Sequence, residues 1–167
     1  MWAQREADVS TLQSTQASAV PPANVPTVRA LLAVARFAHD ELARANRLPG
    51  DVPEWVLATV ARWCDGEVPV SAVHEARQAL YERRAAFEPP AKPDAPPDVL
   101  VSLLCVLRGL TSYVWGANHT PRSCARESVL GWSTRILADL GEWKDAKARV
   151  EAIYASELRA EMHWDGA

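Results

Sequence analysis

What the chain has little of excludes most familiar function classes. Glycine is scarce, with seven in 167 residues and no cluster of them, so the backbone cradle of a phosphate-binding loop cannot form. Three cysteines, Cys64, Cys105 and Cys124, are too few and too widely spaced for a disulfide framework or a zinc knuckle. Lysine is nearly absent, and with 18 basic against 21 acidic residues the net charge is −3. A general nucleic-acid binder needs a basic surface, and no second helix of a helix-turn-helix presents basic residues. The longest apolar stretch, Val99–Val106, is interrupted by Ser102 and closed by Arg108. It is less than half the roughly 20 residues of a membrane span. No segment alternates apolar and polar residues with β-branched enrichment, so no sheet is predicted.

Metal and nucleophile chemistry are equally thin. His39, His74, His119 and His163 lack the Glu-x-x-His spacing that a helical carboxylate-bridged metal site uses. Asp40 and Glu41 follow His39, but adjacent helical residues point in different directions and are not expected to chelate together. Cys124 falls in the first turn of a predicted helix, where the dipole favours a thiolate. A base would have to come from His119, which the sequence alone does not orient on it. No catalytic residue, metal site or cofactor is therefore predicted.

The length suits a single domain with its own core. The first twenty residues carry Glu6 and Asp8 where a secretory signal would be basic, and they hold no apolar run, so no signal peptide is read. Their Ser, Thr, Gln, Ala and Pro content predicts a flexible tail over 1–23. With no disulfide framework and no span, the expected compartment is the cytoplasm.

Helix signals fill the rest. From Pro26 to Asn46 the residues Val28, Leu31, Leu32, Ala35, Ala38 and Leu42 recur at three- and four-residue steps, one helical face. Asn24 is placed to cap it and Leu48-Pro49-Gly50 to end it. Arg36, Asp40 and Arg44 line the other side at the spacing where opposite charges attract. Asp51-Val52-Pro53-Glu54 reads as a capping box opening a second helix, which carries Trp55 toward the core and stops at Asp65-Gly66. Pro69 and Ser71 open a third helix, running through Leu80 to Phe87.

Residues 88–97 read EPPAKPDAPP, five prolines in ten residues, a stiff connector that no helix can cross. Beyond it, Asp98 starts a helix to Trp115 that is apolar on nearly every side, the mark of an element surrounded by others. Thr120-Pro121 opens a fifth helix to Leu140, and Glu142–Met162 forms a sixth, with Asp145/Arg149 and Lys147/Glu151 as predicted ion pairs. The predicted architecture is an all-α single-domain bundle over 24–163, six helices in two three-helix halves.

Two places combine tryptophan with acids at a helix end: Trp63 with Asp65 and Glu67, and Trp143 with Asp139 and Glu142. Tryptophan is enriched at binding hot spots, and acids around it select a basic partner. These six residues are the candidate partner-binding face.

The segment from Leu31 to Phe87 resembles the helical immunity-protein family encoded beside bacterial polymorphic toxins. The residues that carry the likeness are Ala38-His39, Trp63 with Gly66-Glu67, and Ala76-Arg77. The second half is similar only as a helical pair, departing at Trp115 and Trp132, and the tail has no counterpart. The resemblance implies a non-enzymatic protein that binds and blocks a cognate toxin. A mildly acidic bundle suits a basic toxin, because charge complementarity speeds encounter. The expected function is thus protein binding of immunity or adaptor type, without nucleic acid or membrane partners. The alternative is a small helical metal-dependent enzyme or ligand sensor with a pocket beside the Val99–Trp115 helix.

Overall fold

A computed structural model describes residues 22–87, 98–116, 121–141 and 144–164. Most of the predicted tail and the proline-rich connector 88–97 lie outside the described residues. The described chain forms six α-helices and one 3-10 turn, with no strand among them, an all-α bundle.

Helix α1, Val25–Arg44, begins where Asn24 accepts a hydrogen bond from the Thr27 amide at 3.1 Å, satisfying an amide the first turn would otherwise orphan. All six predicted core residues of its apolar face are buried, and so is Ala23, which the sequence assigned to the tail. The helix ends earlier than Leu48-Pro49-Gly50. Asn46 adopts a left-handed φ of 56°, and the Arg47 amide reaches back to the Leu42 carbonyl at 2.9 Å. Asparagine tolerates that conformation better than other side-chain-bearing residues.

Helix α2, Val52–Cys64, starts without the predicted capping box. Asp51 already has helical backbone angles, and its side chain caps nothing. Glu54 turns instead to Arg36 on α1, 3.4 Å away. That contact also dissolves the charge ladder predicted along α1: Arg36 bonds across to α2, Arg44 pairs with Glu41, and Asp40 meets its neighbour His39. At the other end of α2, Gly66 takes φ +72°. Its amide bonds the Trp63 carbonyl at 3.0 Å and the Glu67 amide bonds the Arg62 carbonyl at 2.9 Å. This reciprocal pair closes the helix, and only glycine adopts that angle without strain.

Helix α3, Val70–Glu82, does not continue to Phe87 as one helix. It tightens into a 3-10 turn at Arg84–Ala86, and Phe87 lands fully buried in the core. Helix α4, Val99–Trp115, is capped by the Asp98 side chain, which accepts from the Leu100 amide at 3.0 Å. Along its whole length only Arg108 is exposed, as its all-round apolar sequence predicts. Helices α5, Arg122–Asp139, and α6, Ala146–Trp164, complete the bundle.

The two sequence halves share one core. The most extensive packing is α4 on α5, followed by α1 on α6, and α4 also touches α1, α2 and α3. Gly109 permits the α4–α5 approach: a Cβ there would stand 3.1 Å from the Ala125 carbonyl oxygen and 3.2 Å from Val129 Cγ2. On α6 the predicted Lys147–Glu151 pair forms at 4.0 Å, whereas the Arg149 guanidinium lies over the Phe37 ring at 5.4 Å. No helix of the described residues is long and apolar enough to cross a membrane.

Candidate functional site

The predicted tryptophan-and-acid face is only partly assembled. Trp63 is partly buried and packs against the core, so most of its ring serves the fold. Asp65 pairs with Arg29 of α1 at 3.0 Å, and the same guanidinium donates to the Cys64 carbonyl at 3.3 Å. Glu67 pairs with Arg62 at 3.2 Å. The closure at Gly66 thus brings Trp63, Asp65 and Glu67 to one helix end, but both carboxylates already hold arginines of their own chain. Asp139 sits at the end of α5 and pairs with Arg135, 3.5 Å away. Glu142 and Trp143 lie outside the described residues.

Trp55 reverses its prediction. It is 46% exposed, because α2 buries Pro53, Val56, Leu57, Val60 and Cys64, and Trp55 is rotated about 100° from Val56 on a helix of 3.6 residues per turn. It borders a cleft of 350 Å³ with Asp51, Val52, Ala79, Glu82 and Arg83.

The histidines have separate settings. His39 is buried, with Nδ1 3.0 Å from Asp40 Oδ1 and Nε2 3.8 Å from Glu54 Oε2. The contact joins two neighbours on α1 and brings no third metal-ligating side chain to them. His74 stacks on Trp115, centroids 4.2 Å apart at 20°, so Trp115 faces a ring on α3. Among the described residues no three His, Cys, Asp or Glu side chains gather into a metal-holding group. His119, the base considered for the exposed Cys124, lies outside the described residues.

A further cleft lies beside α4, where the alternative reading placed a pocket, but none of its lining side chains was predicted to form one. Arg77 and Tyr81 of α3, Cys105, Arg108, Gly109 and Ser112 of α4, and Ala125, Ser128 and Trp132 of α5 line a cleft of 290 Å³. Both guanidiniums stack on one ring, with Arg77 4.9 Å and Arg108 4.7 Å from the Tyr81 centroid. Both also donate to its hydroxyl, at 2.8 Å and 3.2 Å. Arg77 Nε donates to Ser112 Oγ at 3.0 Å. These contacts hold two cations side by side, with the ring faces absorbing part of their charge. No carboxylate stands among the lining residues. Over the rim formed by Ser128 and Trp132, a shallower surface of α5 continues past Arg126 and Arg135.

Nearby on α6, burial pushes the Tyr154 hydroxyl above the usual tyrosine range, with the Arg126 guanidinium acting in the opposite direction. The only local sign of the cleft is the i, i+4 spacing of Arg77 with Tyr81 and of Arg108 with Ser112; their convergence is tertiary. The adjacent pair Arg83-Arg84, which follows Glu82 in the sequence, is exposed to solvent.

Comparison with protein-family models, with curated proteins and with solved structures gives no match.

Proposed function

We propose that this is a non-enzymatic protein-binding protein of immunity or adaptor type, acting in the cytoplasm, whose docking face centres on Trp55 rather than on Trp63. The observation that supports this is Trp55 itself, 46% exposed beside a 350 Å³ cleft. A half-exposed tryptophan at a cleft edge is the kind of anchor that dominates interface energetics. On the same rim Asp51 and Glu82 outnumber Arg83, a balance that favours a basic segment of the partner, which a chain of net charge −3 would attract over distance. In a pull-down from the native host, wild-type protein retains a stoichiometric partner and Trp55→Ala loses it. Equal affinity of both proteins for that partner would move the interface elsewhere.

The second reading is a ligand sensor with its pocket beside α4. The arginine–tyrosine cleft favours it: charged donors fixed by stacking and hydrogen bonds, with Trp132 on the wall, match the few convergent polar groups of a small-molecule site. Trp132 would report occupancy by its fluorescence. A ligand that binds without altering that emission, or that still binds after Arg108→Gln, would place the site outside the cleft.

A further inference from the structure

We infer that the cleft between α3, α4 and α5 is a binding site for a phosphate monoester of a small molecule, an inference that rests on the ligand-sensor reading and names its ligand class. Three features carry it. First, the residues able to donate come from three helices: Arg77 from α3, Arg108 from α4 and Ser128 from α5 all line one 290 Å³ space. A flat carboxylate is satisfied by one guanidinium edge, whereas a tetrahedral oxyanion accepts hydrogen bonds from several directions at once.

Second, the guanidiniums are held in place before any ligand arrives. Tyr81 carries both on its ring and accepts from both through its hydroxyl, and Ser112 accepts from Arg77. A site already ordered loses less side-chain entropy on binding. Arg108 meets no carboxylate of the described residues, although it is the one exposed side chain of an otherwise apolar helix. Lysine would not serve as well, because it neither stacks flat nor presents a planar fork.

Third, Trp132 stands on the wall where the cleft opens onto the α5 surface, suited to an apolar or aromatic group esterified to the phosphate. A monoester carries about −1.5 to −2 charges at neutral pH, which suits a lining with two guanidiniums and no carboxylate.

Phenyl phosphate, inorganic phosphate and benzoate, each titrated into the full chain by calorimetry and tryptophan fluorescence, test this. Phenyl phosphate is expected to bind one molecule per chain and more tightly than the other two. Arg108→Gln should weaken it about tenfold or more, the loss of a charge-assisted donor. Arg77→Gln is the second variant, on a different helix, and Arg36→Gln is the control expected to bind as wild type; circular dichroism verifies that each is folded. Benzoate binding as tightly as phenyl phosphate, with the same loss in Arg108→Gln, would leave a ligand pocket and overturn phosphate as its ligand. Phenyl phosphate binding unchanged by Arg108→Gln and Arg77→Gln would place the site outside the cleft. No binding of any probe in the millimolar range would overturn the pocket along with the inference.

Discussion

The helix end at Trp63 and the cleft at Tyr81 are built from the same ingredients, an aromatic ring and charged side chains, and they come out opposite. At the helix end each arginine is matched by an acid: Arg29 by Asp65 and Arg62 by Glu67. The result is a corner whose two acids are both engaged, with its tryptophan partly buried against the core. In the cleft the arginines are held by a phenol ring and by hydroxyls, and no carboxylate lines the space. An arginine paired with an acid has much of its charge offset, whereas Arg108, held by the Tyr81 ring and hydroxyl and by no carboxylate of the described residues, keeps most of its charge available to a ligand. Asp65 and Glu67, which stand out in the sequence, are thus engaged by arginines of their own chain, whereas Arg108, which does not stand out, meets no acid of the described residues.

Three substitutions break or sharpen this contrast, in decreasing order of effect. Gly109→Leu forces a side chain against the Ala125 carbonyl and Ser128, each 3.1 Å from the position of a Cβ. Overpacking of this kind costs about 1–3 kcal/mol, and it also pries apart the α4–α5 wall of the cleft. Urea denaturation should show a lower midpoint; an unchanged one would mean that the two helices separate without cost.

Tyr81→Phe keeps the ring and removes the shared acceptor. A loss of about 1 kcal/mol is expected from the two hydrogen bonds, with α3 still folded by circular dichroism. If the urea midpoint does not move, stacking alone positions the guanidiniums.

Asp65→Asn is the mildest. Asp65 and Arg29 are half and more than a third exposed, and exposed pairs contribute about 0–1 kcal/mol. A thermal shift of a few degrees at most is expected. A drop as large as that of Gly109→Leu would show the helix end to be as integral to the fold as the α4–α5 contact.

How far the sequence carried each region follows from the range of the forces involved. The cap at Asn24 forms as predicted, and Asp98, where a helix was read to begin, also caps it, because donor and acceptor sit two or three residues apart and local backbone geometry brings them together. The capping box at Asp51–Glu54 fails although its spacing is right, because Glu54 has a competing partner in Arg36 on the neighbouring helix. Trp55 was assigned to the core and Trp63 was a candidate for a binding face, and the structure leaves the first 46% exposed and packs the second, partly buried, against the core. Residues near the border of an amphipathic face are decided by which helix lies beside them, and periodicity alone does not supply that.

By itself the sequence determined the all-α class, the helix of all-round burial at 99–115 and six of the ten buried positions of α1. These rest on hydrophobic periodicity and helix punctuation, whose physical causes act within a few residues. The tertiary structure decided which partners the arginines meet: Arg29 with Asp65, Arg77 with Ser112, and Arg108 with Tyr81, separated by 36, 35 and 27 positions. Long charged side chains reach across helix boundaries, so their partners are set by packing and close approach, and the glycine at 109 that allows α4 to press on α5 did as much to shape the cleft as the residues that line it.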